Sequence, residues 1–325
     1  MSVVSAETWF APLERVRRVV LATVARIAPA FVAQREPRVA LYAAVLLVAA
    51  FAATSIAPLW LLLLGPIVLG VPHVVSDVRY LVARPRLHAR WPVVVFVGVP
   101  LVGCFFGGGV RAGLVATCGA LVVARGRAVV RALGVAIAVA LFAVAWRIGD
   151  IADLAFAHLH NFVAVGLWWA WRRRDGKLHA IPLTLFAFGC ALLLFGIAAP
   201  DIAAMPYEVG TGMVPLEIAT FGGRLVALYA FAQAMHYTVW LRLIPEEDRD
   251  RPTPRTWAAS FRALRTDVGP WVLGAAALGA LGFGVYALVN LVAARDAYLN
   301  AAIFHGHLEI AAGALLLVER RLPAR

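Results

Sequence analysis

The sequence predicts an all-α integral membrane protein: a helical bundle of about ten transmembrane helices with both termini cytoplasmic. Three observations carry that expectation. First, the 325 residues are 62% hydrophobic and only 15% charged, with a mean hydropathy of +0.83; soluble domains sit nearer half apolar. Second, ten apolar segments approach or exceed the ~20 residues that cross a bilayer: 39–58, 59–83, 92–108, 111–126, 128–147, 150–171, 180–199, 215–243, 268–293 and 297–318. Third, with the N-terminus inside, 26 of the 30 Lys and Arg fall in cytoplasmic regions. Only Arg111, Arg147 and Arg295 lie outside, and Arg224 lies within a span. That asymmetry is the positive-inside rule. It accounts for the net charge of +12 without a nucleic-acid partner.

The elements follow in order. Residues 1–38 form a basic lead. Within it Trp9, Leu13, Val16, Val20, Ile27 and Phe31 share one helical face, and Arg15, Arg18 and Arg26 another. This is the pattern of a helix lying on the cytoplasmic membrane surface. The lead does not have the form of a signal peptide, since its first long apolar run comes only after this basic stretch. Residues 39–325 are expected to form one transmembrane bundle domain. Pro37, Pro85, Pro92 and Pro182 stand at helix starts. The segment 245–267 is the one sizeable cytoplasmic loop, with a second surface helix in its latter half. The Gly/Pro-rich stretch "PDIAAMPYEVGTGMVP" is expected to cap the outer side. Arg224, in "FGGRLVAL", is expected to meet Glu217, a lipid headgroup or a substrate carboxylate. Cys104, Cys118 and Cys190 are isolated and form neither a metal motif nor a disulfide framework.

Six histidines lie inside spans two, six, eight and ten, all of which run from outside to inside: His73, His158, His160, His236, His305 and His307. The other two, His88 and His179, lie in cytoplasmic loops and read as ordinary interfacial residues. Strongly charged groups cost ~2.5–3.5 kcal/mol at a helix centre, so polar intramembrane side chains face the bundle interior and pair. Here they have acidic company at one-turn spacing: Asp77 follows His73, and Glu309 follows His305. Two His-x-His patterns, "AHLHN" and "FHGHLE", place their members about 200° apart on a regular helix, so one of each faces a common centre. His160 has Asp153 behind it; His305 shares its face with Glu309 and small residues.

The expected metal ligands are therefore His73, His160, His236, His305, Asp77 and Glu309. His158, His307, Asp153, Gln233 and Tyr80 are expected as supporting groups or alternative ligands. The stretch "GPIVLGVPHVVSD" is expected to interrupt span two, because Pro66 and Pro72 free backbone carbonyls. Such breaks occur where protein or a cavity covers them. This one would aim His73 and Asp77 inward.

Imidazole with carboxylate binds iron, zinc, copper or manganese, and helix bundles hold such centres. The ligand set in an apolar pocket suits non-haem iron and dioxygen, with an apolar lipid, terpenoid or carotenoid-like substrate entering from the bilayer. Two other readings use the same residues. Histidines from two helices can clamp a haem, as in an electron-transfer subunit of a membrane-protein complex. A polar chain can also carry protons or metal ions, as in a transporter. The expected location is a bacterial-type inner (plasma) membrane.

The stretch "GVPHVVSD" resembles the G-x-P-H-G-x-x-D signature of the Brp/Blh family of membrane β-carotene dioxygenases. "YAFAQAMHYTVWLRL" resembles that family's later segment, an aromatic helix leading into H-S-x-R-H. The resemblance implies a polytopic helical scaffold, an iron centre and oxidative cleavage of a carotenoid. It implies roles for His73 and Asp77 from the first motif and for His236 from the second. Three positions differ: Val74 replaces the glycine after the histidine, Trp240 stands at the second histidine of the later motif, and span one contains no histidine.

Overall fold

The computed structural model describes residues 3–172, 177–198 and 222–322, and among these the chain forms helices and turns with no strand. In chain order the helices are α1 (Val3–Ile27), α2 (Pro29–Ala33), α3 (Arg35–Ile56), α4 (Pro58–Ala83), α5 (Trp91–Phe106), α6 (Gly109–Val123), α7 (Ala128–Ile148) and α8 (Asp150–Trp171). They continue as α9 (Ala180–Leu194), α10 (Gly222–Thr238), α11 (Trp257–Val268), α12 (Pro270–Val289), α13 (Leu291–Ala301) and α14 (His305–Val318). Six helical stretches are long and apolar enough to cross a membrane: α3, α4, α7, α8, α12 and the joined pair α13–α14. α5, α6 and α9 are apolar but shorter. The start of the eighth expected span, the outer Gly/Pro-rich stretch, Glu217, Arg173 and Arg174 lie outside the described residues.

Burial sorts these helices into rings. α12 contains no buried residue, and α7 buries only Ala138 and Ala145. Both are apolar around most of their surface, as lipid-facing helices are. In contrast, α14 buries most of its length, including Leu315 and Leu316, and packs on α4, α6 and α8. Glycine permits the closest of these approaches: a Cβ on Gly113 of α6 would lie 2.1 Å from His307 Nδ1.

Helix α4 is continuous where an interruption was expected. Pro66 opens a π-helical turn, Pro66–Gly70, and a second one, Val78–Ala83, follows the α-helical Val71–Asp77. Proline removes a backbone donor and crowds the preceding carbonyls. The wider π turn absorbs that conflict without breaking the helix. A similar π turn, Val239–Leu243, ends α10 just after His236. The true break falls elsewhere, at residues 302–304 between α13 and α14.

The basic lead forms α1, α2 and the start of α3. α1 carries exposed Trp9, Val16, Val20 and Ile27. It lies against α11 through Phe10 and Phe261, whose ring centroids are 5.7 Å apart.

The end of α10 runs into "PEED", whose acids are buried in an ionic network. Glu246 bonds both Arg38 and Arg249. Glu247 Oε1 lies 3.0 Å from His179 Nε2, and Asp248 pairs with Arg84 at 2.5 Å. Trp171 Nε1 donates to Asp248 Oδ1. His179 is thus buried against Glu247 rather than an ordinary interfacial residue. Charges this buried must be paired to be tolerated. The network ties together the start of α3 and the ends of α4, α8 and α10, and the last three helices carry the side chains described next.

Candidate metal centre

Four helices converge on one buried point: α4 with His73 and Asp77, α8 with His160, α10 with His236, and α14 with His305 and Glu309. One ligand atom from each of His73, Asp77, His236 and His305 lies within 4.8 Å of every other. Ring centroids of His73 are 5.2 Å from His236 and 4.9 Å from His305. His160 joins them at 5.2 Å from His236 and 5.4 Å from His305. His236 Nε2 is 3.2 Å from Glu309 Oε1, and the Asp77 carboxyl adjoins Glu309. Of the six expected ligands, His73, Asp77, His236 and His305 form the tight group, and His160 and Glu309 adjoin it.

The local backbone sets three of the imidazoles. Nδ1 of His73 lies 3.3 Å from Leu69 O, Nδ1 of His160 2.9 Å from Ala157 O, and Nδ1 of His305 also meets a carbonyl, Ala302 O. Each contact assigns the ring proton to Nδ1 and leaves the Nε2 lone pair for the centre. That is how metal-ligating histidines are held. The π turn before His73 and the break before His305 supply two of these carbonyls. A small residue admits the third ring: a Cβ on Gly306 would stand 3.0 Å from the His160 ring.

A cation fits this donor set. His73 Nε2, both His236 nitrogens and all four carboxylate oxygens of Asp77 and Glu309 are buried without a hydrogen-bond partner. Each unsatisfied buried group costs ~1–3 kcal/mol, and here the costs are concentrated at one point. Even the 3.2 Å approach of His236 to Glu309 does not close a hydrogen bond. Imidazole nitrogens with carboxylate oxygens are donors for first-row transition metals. The imidazoles also pack edge to face against one another, a close aromatic arrangement.

The expected supporting residues lie farther out. His307 points away from the centre, stacks on Phe156 at 4.0 Å and fills the space over Gly113. His158 packs edge-on against Tyr229 at 5.1 Å. One histidine of each His-x-His pair thus faces the cluster. Asp153 accepts from Val110 N–H at the start of α6, rather than backing His160. Gln233 donates to Tyr229 Oη, and Tyr80 packs against Trp171.

Two neighbours of the cluster were not anticipated as site residues. The Tyr237 ring lies 4.6 Å from His73. Trp240, one turn after His236, is fully buried with its indole beside the Glu309 carboxyl. Its one-turn spacing from His236 is the signal that was available.

Compared with protein families, with curated proteins and with solved structures, the chain finds no match.

Proposed function

We propose that the chain is a membrane-embedded, non-haem iron oxygenase acting on an apolar lipid, terpenoid or carotenoid-like substrate. The observation that carries this reading is the meeting of His73, Asp77, His236 and His305 within 4.8 Å, with donor atoms unsatisfied and buried. The packed imidazoles favour a bare ion over a haem. Bound iron would supply the redox chemistry with dioxygen. The chain's own residues then do three things. His73, His160, His236 and His305 present Nε2 atoms fixed by backbone carbonyls or by packing. Asp77 and Glu309 supply negative charge that balances a cation in a medium where an unbalanced one is costly. Trp240, Tyr237 and the apolar helix faces keep water from the centre.

In the same reading the chain crosses a bacterial-type inner membrane ten times with both termini cytoplasmic, as the arginine distribution supports. The two motifs that resemble those of the Brp/Blh family would fit a related scaffold, with His73, Asp77 and His236 in the resembling positions.

The test is metal analysis and absorption spectroscopy on the full chain purified in mild detergent. The expected result is stoichiometric iron without the Soret band of haem, and loss of that iron in His73→Ala. Dioxygen-dependent consumption of a carotenoid or terpenoid should disappear in the same variant. A Soret band, or a wild-type chain that takes up no transition metal, would overturn the reading.

A further inference from the structure

Against α4 lies a cavity of about 710 Å³ that none of the metal-centre residues lines. Its size is that of a small-molecule pocket. Pro72, Val75, Ser76 and Arg79 of α4 form its floor. Phe10 of α1 and Phe261 and Leu264 of α11 form one apolar wall. The other is Ala276, Ala277 and Ala280 of α12, the helix with no buried residue. Small side chains on a peripheral helix leave room there for another apolar body.

The polar end of the cavity is cationic. Arg17, Arg79, Arg242, Arg249 and Arg255 line it, against a single lining carboxylate, Glu246. Glu14 pairs with Arg17 and Asp267 with Arg79. Glu246 is shared between Arg38 and Arg249, so it leaves charge over. Arg242 rests on the Tyr42 ring at 4.2 Å, and no carboxylate is in contact with its guanidinium among the described residues. Arg255 is exposed at the rim. An apolar chamber ending in surplus guanidinium groups is complementary to an amphiphile with an anionic head, because arginine donates in pairs to phosphate or carboxylate oxygens.

We infer that this cavity is a binding site for one anionic lipid. Its chain lies between α4, α11 and α12, and its phosphate or carboxylate head meets Arg242, Arg249 and Arg255. The site is separate from the metal centre and its occupancy does not depend on iron.

The experiment is native mass spectrometry of the delipidated full chain. Phosphatidylglycerol, phosphatidylcholine and oleate are added separately, and metal content is measured in the same samples. One phosphatidylglycerol should bind in preference to phosphatidylcholine. Oleate competing for the same site would identify a bare carboxylate as sufficient; failure to compete would identify the phosphate as required. Arg242→Gln should weaken phosphatidylglycerol by about tenfold, the size of one lost charge-assisted hydrogen bond. Ala280→Trp, which fills the chamber, should abolish binding while leaving metal content at the wild-type level. Equal binding of phosphatidylcholine and phosphatidylglycerol would refute the assignment. So would undiminished binding in Ala280→Trp, or no bound lipid in the wild type.

Discussion

Replacing Glu309 with leucine should change stability in opposite directions with and without metal. Glu309 is fully buried, and neither carboxylate oxygen has a hydrogen-bond partner. Its nearest polar neighbours are the His236 ring, the Asp77 carboxyl and the Trp240 indole. Without an ion, that carboxyl is a net cost of ~1–3 kcal/mol. Glu309→Leu removes the cost at nearly constant shape, against a small cavity penalty. The chelated protein should therefore unfold a few degrees higher in the variant, at about 2–4 °C per kcal/mol for a large domain. With metal bound the sign reverses, because the substitution removes a ligand and the stabilisation that ligand binding confers on the folded state. The assay is thermal unfolding followed by tryptophan fluorescence in detergent, with and without chelator, alongside metal analysis. A shift of the same sign in both states would refute the claim that the orphaned carboxylates exist to meet a cation.

Two further outcomes follow from the supporting structure. Burial pushes the Asp248 carboxyl up to about 6, against the opposing pull of Arg84 and the Trp171 indole. The unfolded chain then releases this proton near its ordinary value while the folded chain holds it, so stability falls as pH rises between about 4 and 6. The fall is at most about 3 kcal/mol, and Asp248→Asn should flatten that stretch of the stability–pH curve; an unchanged slope would contradict the assignment. Gly113→Ala should cost about 1–3 kcal/mol, the usual penalty of overpacking. Its Cβ would lie 2.1 Å from His307 Nδ1 and 2.9 Å from His307 Cβ, in a ring held by Phe156. His307→Ala in the same chain should restore the wild-type unfolding midpoint, and failure to do so would place the strain elsewhere.

What the sequence disclosed about the site was whatever depends on position along one helix. The one-turn spacing of His73 to Asp77 and of His305 to Glu309 states a shared face before any partner is known. The half-turn offset within His-x-His states that one member must turn away, and His158 and His307 do. Contacts between distant segments were less legible. Asp153 lies on the expected side of its helix, but the start of α6 comes close enough for Val110 N–H to claim it. "PEED" reads as a polar loop, yet its acids are buried because Arg38, Arg84 and His179 arrive from three other segments. The prolines around His73 announce irregular backbone. They do not say whether the helix breaks or widens, since that depends on whether the surrounding helices hold it straight.

The four site helices impose a layered order on the centre. His73, His160, His236 and His305 form one tier of packed imidazoles. Four residues further along each helix is about one turn, a little over 5 Å of rise. Those positions are Asp77, Ala164, Trp240 and Glu309, all of them fully buried. Because Asp77 adjoins Glu309 just as His73 adjoins His305, α4 and α14 run in the same sense through the site. The second tier is therefore two carboxylates closed off by an indole and a methyl group. Its charge is confined to one side of the imidazoles, beneath α4 and α14, and the α8 side is left apolar. A cation held by the imidazole tier would be balanced from one side only, beneath Asp77 and Glu309, while His160, Ala164 and Phe156 border the other side.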